Sequence, residues 1–157
     1  MGKMGLSWRM LSGKFREAID TIVERLNKDH FDWMLVGSVN MALQGIDVTP
    51  RDLDFVVRFE DLERIRNVFS DYGVSEVSEL KPFIDRAAWD VHFEIEGIDV
   101  QFLGEKDDGE YVRWMLKKCV VFVDRIRCFD LRTEAGVYAR TNRKNRADEI
   151  LNFLDNV

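Results

Sequence analysis

Hydrophobic residues recur at helical spacing in some segments and at every second position in others, which predicts both helices and strands. Apolar residues at three- and four-residue spacing predict helices over about 12–28, 39–44, 61–72, 107–118, 130–140 and 144–154. Short apolar or alternating runs predict strands over about 31–36, 52–58, 74–77, 90–96, 98–103, 120–124 and 126–129. Ser12 and Asp130 fit helix caps, and Asp107 with Glu110 fits a capping box.

Three of the predicted strands, 52–58, 90–96 and 98–103, share one alternating pattern. Each places apolar side chains on one face and polar side chains on the other, which is typical of a half-buried sheet. We therefore expect an α+β fold, a small mixed sheet with helices packed on one face. The opposite face is expected to be wet and acidic, and it carries Asp52, Asp54, Asp90, His92, Glu94, Glu96, Asp99 and Gln101.

The length of 157 residues fits one domain, 1–157, ending in a helical tail from about 130 to 157. The net charge of −6 gives no indication of a nucleic-acid-binding protein. The chain has no apolar run long enough to cross a membrane, and Met1–Met10 lacks the apolar core of a signal peptide. Cys119 and Cys128 are expected to be reduced thiols, so we expect a cytoplasmic protein.

Asp52 and Asp54 are two residues apart on a predicted strand, so their carboxylates should stand side by side. Neighbouring like charges repel unless a cation lies between them, and Mg²⁺ or Mn²⁺ is the obvious cation because hard ions prefer oxygen ligands. Taken alone, the pair is more typical of a solvated strand edge, where negative charge also discourages aggregation.

Gly37 and Ser38 lie between the strand at 31–36 and the short helix that follows. A glycine lets the backbone approach a phosphate closely, and the serine adds a hydroxyl. Taken alone, this segment also fits an ordinary strand-to-helix turn with a serine cap.

Together the two segments resemble the nucleotidyltransferase superfamily typified by DNA polymerase beta, and its minimal nucleotidyltransferases in particular. Their motif is a hydrophobic residue, Gly and Gly or Ser, then a spacer and two acids that alternate with hydrophobic residues. The matching segments are Val36-Gly37-Ser38 and Asp52-Leu53-Asp54-Phe55, with a spacer at the long end of the range. A third acid after a glycine turn is matched by Gly97-Ile98-Asp99-Val100, and Arg51 resembles an arginine-rich lead-in.

The resemblance, which spans about residues 31–103, implies metal-dependent transfer of a nucleoside monophosphate, most simply AMP from ATP, with release of pyrophosphate. Asp52, Asp54 and Asp99 would hold the Mg²⁺ or Mn²⁺, and Asp99 would also act as the base or position it. Gly37, Ser38 and Arg51 would contact the nucleotide. Asp90 and Glu94 lie on the same predicted face and remain alternatives to Asp99.

Basic residues gather where the last predicted helix begins. Arg143 and Lys144, followed by Asp148, Ile150 and Leu151, look similar to a motif found in some members of the superfamily. A cation there would neutralise triphosphate charge, and Lys144 is the preferred candidate. The alternative is a solvated basic stretch before an amphipathic helix.

The sequence leaves the acceptor open. Two further functions also stay open: a regulatory module of the antitoxin type that acts through a protein partner, and a catalytically silent nucleotide-binding domain. Because the chain has little room outside the predicted catalytic domain, a second subunit or a partner is a further way to complete the site.

Overall fold

The computed structural model of the chain describes residues 11–80 and 87–157, which form one seven-stranded sheet and six α-helices. The helices are α1 (Gly13–Lys28), α2 (Gly37–Leu43), α3 (Leu62–Val68), α4 (Glu110–Leu116), α5 (Leu131–Arg140) and α6 (Lys144–Asp155). The strands are β1 (Met34–Val36), β2 (Leu53–Arg58), β3 (Ser78–Leu80), β4 (Ala88–Ile95), β5 (Ile98–Glu105), β6 (Val120–Val123) and β7 (Ile126–Phe129).

The expectation of no signal peptide in Met1–Met10 concerns residues outside those that the structure describes. Within the described ranges, every helix is too short or too polar to cross a lipid bilayer.

The sheet is mixed, with the strand order β3-β4-β5-β2-β1-β7-β6. β2 runs parallel to β5, and β1 runs parallel to β7, whereas the other neighbouring pairs are antiparallel. This arrangement confirms the predicted α+β class with a small mixed sheet. It places β2, the strand of the paired aspartates, in the centre of the sheet between β1 and β5.

One face of the sheet carries the main core, as the alternating pattern predicts. The apolar positions of β2, β4 and β5 all point to it, and α1, α2 and α3 pack over it. Helix α1 begins at Ser12, whose Oγ accepts a hydrogen bond from the Phe15 N–H at 3.3 Å. Its buried stripe joins a core that includes Ala18, Ile19, Ile22, Leu26, Leu35, Leu53, Phe55, Phe93 and Phe102.

The other face is wet at one end only. Helix α4 covers the far end, where a second apolar cluster forms from Met34, Val56, Ala88, Leu103, Val112, Met115 and Phe129. Val56 and Asp54 point to the same face of β2, so the dry and the acidic halves of that face are two residues apart. The acidic positions predicted for this face lie at the end that α4 leaves open, and one of them, Asp90, is only 6% exposed.

Two local predictions were wrong. Residues 74–77 are not a strand, and the edge strand β3 begins only at Ser78. The predicted capping box of Asp107 and Glu110 does not start α4, because the helix is capped at Gly109. Instead, the buried Glu105 Oε1 accepts hydrogen bonds from the N–H groups of Tyr111 and Val112 at 2.8 and 3.2 Å.

The hairpin between β4 and β5 is confirmed. Its two turn residues, Glu96 and Gly97, have φ angles of 52° and 80°. Positive φ at both central residues is the requirement of a type I′ turn, whose twist matches that of the flanking strands. The turn fixes the register in which Glu94 pairs with Asp99 and His92 pairs with Gln101.

The tail helices α5 and α6 pack on α2 through a third apolar cluster, made of Met41, Ile46, Leu131, Ala135, Tyr138, Ala147 and Ile150. Helix α5 begins at Asp130, as predicted, and the Asp130 Oδ2 accepts hydrogen bonds from the Thr133 N–H at 2.9 Å and the Thr133 Oγ at 2.8 Å. The cap therefore fixes the start of a helix that lies directly behind the turn at Gly37.

Asp130→Ala should lower the free energy of unfolding by about 1 kcal/mol, because it leaves the first-turn N–H of α5 without its side-chain acceptor. The midpoint of thermal unfolding should fall by about 2–4 °C for a chain of this size. Arg132→Ala, at an exposed position in the same helical turn, is the control. Equal melting temperatures for the two variants would show that the cap contributes nothing to stability.

Candidate active site

A cavity of about 560 Å³ opens at the acidic end of the second face. Its volume is in the range of small-molecule binding sites. Five carboxyl groups line it, and neither Lys nor Arg is among the described residues of its wall. The lining residues are Asp52, Asp54, Gly73, Ser75, Asp90, His92, Phe93, Glu94, Asp99, Val100 and Gln101.

Gly37 lies beside Asp54, one of the residues that line this cavity. Val36 and Asp54 are register partners on β1 and β2, so the turn that follows Val36 lies beside the carboxylate. Gly37 has a φ of +80°, and a Cβ at this position would lie 2.7 Å from the Asp54 Oδ2. Both the backbone angle and the close approach therefore require glycine.

The carboxyl group of Asp54 is in an unfavourable electrostatic environment. Burial is the largest cause, the neighbouring charge of Asp52 adds to it, and the pKa of Asp54 is raised to about 6. The positive charge of Arg143 acts in the opposite direction and is the smallest of the three effects. A cation bound between Asp52 and Asp54 would offset both the burial of Asp54 and the repulsion between the two carboxylates.

Ser38 and Arg51 lie close together at the mouth of the turn. The Arg51 backbone N–H donates a hydrogen bond to the Ser38 Oγ at 3.4 Å. This contact joins the start of α2 to the segment that leads into the acid pair. Three of the predicted nucleotide-binding residues, Gly37, Ser38 and Arg51, are therefore close to Asp52 and Asp54 in the fold.

Asp99 is exposed and lies on β5, the strand next to the acid pair. Leu53 and Val100 are register partners in the parallel pairing, so Asp52 and Asp99 occupy the same end of the two strands. The two alternatives, Asp90 and Glu94, lie one strand further away on β4. All three acids line the same cavity, and the register favours Asp99 as the third acid.

Asp90 is engaged elsewhere. Its Oδ2 accepts a hydrogen bond from the Gln101 Nε2 at 2.9 Å, and the His92 Nδ1 lies 3.7 Å from the same oxygen. The Ser75 Oγ lies 3.3 Å from the His92 Nδ1 and accepts a hydrogen bond from the His92 backbone N–H. These contacts form a polar part of the wall of the same cavity, which begins at Gln101, the register partner of Asp54, and continues to β4 and Ser75.

The donor set of the acid pair fits a divalent cation of the magnesium type. Such ions are commonly held by one or two carboxylates, with water and substrate phosphates completing the shell. Asp54 on β2 and Asp52, directly before the strand, supply two carboxylates that line the same cavity. Over residues 11–80 and 87–157, no group of three acidic, histidine or cysteine side chains is arranged to hold a metal ion, so water and substrate phosphates would complete the coordination of a cation held by the acid pair.

Sequence reasoning missed Glu134, on α5. Glu134 is 2% exposed, its Oε2 accepts a hydrogen bond from the Gly37 N–H at 2.9 Å, and its Oε1 accepts one from the Asn40 Nδ2 at 2.9 Å. Burial raises the pKa of Glu134 to about 7, while the two hydrogen bonds act in the opposite direction. The available signal was its spacing, since Glu134 lies three residues after Leu131 and four before Tyr138, on the apolar stripe of the helix.

The cation whose charge reaches Asp54 is Arg143, the residue before Lys144. Its guanidinium carbon lies 5.7 Å from the centre of the Tyr138 ring, and its backbone N–H donates to the Tyr138 carbonyl at 2.9 Å. Lys144 is the exposed first residue of α6. The basic segment named from the sequence is thus near the site through Arg143, and a role for Lys144 stays a prediction.

Comparison with known proteins shows the family and the fold of the chain. The sequence model of the aminoglycoside-2''-adenylyltransferase family matches residues 18–140. A solved structure from Thermotoga maritima, described as a putative nucleotidyltransferase, superposes with a TM-score of 0.68 and 23% sequence identity over 94% of this chain and 97% of that one. No curated protein matches the chain by sequence.

Asp54→Asn should stabilise the metal-free chain at pH 8. The pKa of Asp54 is raised in the folded state, so stability present while it is protonated is lost as the pH rises from about 4 through about 6. With partial solvent screening, the asparagine should add about 1–3 kcal/mol to the free energy of unfolding at pH 8. The gain should vanish near pH 4.

Urea unfolding in chelator across this pH range is the measurement, and Asp99→Asn is the control, since it removes an exposed carboxylate from the same cavity. An Asp54→Asn chain no more stable than the wild type at pH 8 would contradict the unfavourable environment described for this carboxylate.

Gly37→Ala should be more destabilising than Gly73→Ala, although both glycines have positive φ, at +80° and +67°. A Cβ at Gly73 meets nothing within 4 Å, so that variant reports only the backbone cost of about 1–2 kcal/mol. The Cβ at Gly37 also displaces the Asp54 carboxylate, which should add at least about 1 kcal/mol.

A double-mutant cycle checks the cause of the extra cost. In an Asp54→Ala background the displaced oxygen is absent, so the cost of Gly37→Ala should fall to that of Gly73→Ala. Equal costs for the two glycine variants in the wild-type background would show that the close approach does not constrain the turn.

Proposed function

This chain belongs to the aminoglycoside-2''-adenylyltransferase family, and we propose that it transfers AMP from ATP to a hydroxyl group of a polycationic acceptor, releasing pyrophosphate. Family membership makes the chain a nucleotidyltransferase with a nucleotide substrate. The finer assignment depends on one observation: Asp52 and Asp54 lie beside the Gly37 turn in a cavity lined by five carboxyl groups.

On the nucleotide side, Asp52 and Asp54 would hold Mg²⁺ or Mn²⁺, with Asp99 as the third acid. When bound, such a cation neutralises triphosphate charge and stabilises the charge that develops on the leaving pyrophosphate. Binding of the cation also relieves the repulsion between the two carboxylates, because each then faces a positive charge. The protein's contribution is mainly positioning and electrostatic stabilisation.

The triphosphate would lie along the turn at Gly37 and Ser38. The Gly37 N–H already donates to Glu134, so it is not free to bind a phosphate. Gly37 would instead let the phosphates come close to the backbone, and the Ser38 hydroxyl would bind them. Arg51 leads into the acid pair, and Arg143 is the cation whose charge reaches Asp54. We assign these two arginines to the triphosphate, with Lys144 as a further candidate from the sequence.

The acceptor would lie against the part of the cavity wall that β4 forms. Asp90 and Glu94 give this part of the cavity negative charge in addition to that of the acid pair and Asp99. Ammonium groups on an acceptor would be attracted to such a wall, and the family description names an aminoglycoside, a polyamine rich in hydroxyl groups.

In the proposed reaction an acceptor hydroxyl oxygen attacks the α-phosphorus. The bond from that phosphorus to the bridging oxygen of the β-phosphate breaks, and the bridging oxygen leaves with the pyrophosphate. The hydroxyl proton passes to a base, for which Asp99 is the candidate by its place on β5 beside the acid pair.

Pyrophosphate release from ATP tests the proposal, with Mg²⁺ or Mn²⁺ and a panel of aminoglycosides set against neutral sugars. Wild type should exceed Asp54→Asn by about 100-fold or more, because the variant loses a charge that holds the cation. Asp155→Asn, which removes an exposed carboxylate near the end of α6, is the matched control and should keep full activity.

Three outcomes would contradict parts of the proposal. Identical rates for wild type and Asp54→Asn would remove the enzymatic assignment. Activity that depends on Asp54 but is equal with neutral and cationic acceptors would remove the acceptor assignment alone. Tight ATP binding without product would instead support a silent nucleotide-binding domain.

A further inference from the structure

Glu134 is a buried acid that the proposed reaction does not use. Both of its carboxylate oxygens are occupied, Oε2 by the Gly37 N–H and Oε1 by the Asn40 side-chain amide, each at 2.9 Å. The first contact joins residues 97 positions apart, from the tail helix α5 to the start of α2. A buried carboxylate is costly, so its presence at this place calls for a reason beyond packing.

The partners of Glu134 are themselves fixed. The Asn40 Nδ2 also donates to the Phe129 carbonyl at 3.0 Å, and the Gln44 Nε2 donates to the Asn40 Oδ1 at 2.9 Å and to the Phe129 carbonyl at 2.8 Å. Because Gln44 donates to the Asn40 carbonyl oxygen, the Asn40 amide group must point its N–H at Glu134. The network thus presents Glu134 with donors only, which suits a carboxylate and no other side chain of that size.

We propose that Glu134 is a positioning residue of the nucleotidyl-transfer site, which fixes the Gly37 turn against Asp54 and thereby sets the geometry of the acid pair. This inference rests on the proposed function for its consequence in catalysis. Gly37 lies between two carboxyl groups, since Glu134 accepts a hydrogen bond from its N–H and a Cβ at Gly37 would lie 2.7 Å from the Asp54 Oδ2. Glycine has more backbone freedom than any other residue, so without the Glu134 bond the turn would lose its single position.

If the only contribution of Glu134 were its charge, its removal would raise the affinity of the acid pair for a cation. A negative charge near Asp54 opposes its ionisation, so removing Glu134 should make the acid pair a better cation site if charge were its only contribution. If Glu134 positions the turn, removing it should weaken cation binding instead. The sign of the change in affinity therefore separates the two roles.

The experiment compares Glu134→Gln and Glu134→Ala with Val137→Ala. Val137 is a buried residue of the same helix, 4% exposed, so its truncation lowers stability while the hydrogen bond from the Gly37 N–H to Glu134 is kept. The glutamine variant keeps the shape of the side chain, but its amide group must meet one of the two N–H donors. It therefore keeps one hydrogen bond at most and remains informative if the alanine variant does not fold.

Binding of Mn²⁺ with a nonhydrolysable ATP analogue, followed by electron paramagnetic resonance of free Mn²⁺, is the main measurement. Affinity should fall about 10-fold in Glu134→Gln, the size typical for loss of a residue that orients a metal ligand. Val137→Ala should stay within about twofold of wild type. The Gly37 amide signal in ¹⁵N-labelled protein should move in both Glu134 variants and stay in place in Val137→Ala.

Unchanged or tighter Mn²⁺ binding in Glu134→Gln would overturn the positioning role, as would equal losses in Glu134→Gln and Val137→Ala. A wild-type chain that binds no Mn²⁺ in the presence of the analogue is a different result. It would overturn the proposed function, and with it the catalytic part of this inference.

Discussion

The structure depends on one unfavourable arrangement: a partly buried carboxylate, that of Asp54, held beside the charge of Asp52 and against the α-carbon of Gly37. Burial and like charge both disfavour ionisation of this carboxylate, and the positive charge of Arg143 has the opposite, smaller effect. The fold can hold it because β2 is central, with β1 and β5 on either side and the apolar side chains of Leu53 and Phe55 in the main core. Natural proteins commonly keep such local costs at functional sites, where activity requires them.

Much of the fold and half of the site could be predicted because the relevant information is local. The period of two in β2, β4 and β5 assigns each side chain to a face, and a buried face permits only one register. Asp52 and Asp54 therefore had to stand together, and Asp99 had to share their side of the sheet once β5 was placed beside β2. Gly37 was singled out differently, through the resemblance of its segment to the nucleotidyltransferase motif, and the structure adds the reason for glycine: a positive φ and the close approach of Asp54.

The rest of the site could not be predicted because it depends on contacts between distant segments. Glu134 accepts a hydrogen bond from Gly37, 97 positions away in the sequence. The pattern of its own helix is that of an amphipathic helix with one acid on the buried face. The charge of Arg143 reaches Asp54, and its backbone N–H donates to the Tyr138 carbonyl across the connection between α5 and α6, a contact that periodicity does not predict. The capping box before α4 failed for a similar reason, since Glu105 from β5 already takes the free N–H groups of that helix.

Helix α4 determines where the apolar half of the second sheet face ends and the acidic half begins. By covering Val56 and Leu103, it makes one half of the face apolar and leaves Asp54 and Gln101 at the boundary, two residues further along the same strands. A charge at the edge of an apolar region is screened less than one in open water, so it binds a cation more strongly and repels a like charge more strongly. The same boundary makes the ionised acid pair unfavourable in the free chain and would favour binding of a cation beside it. Part of the free energy of binding a cation and a triphosphate would then come from relieving a repulsion that folding itself creates.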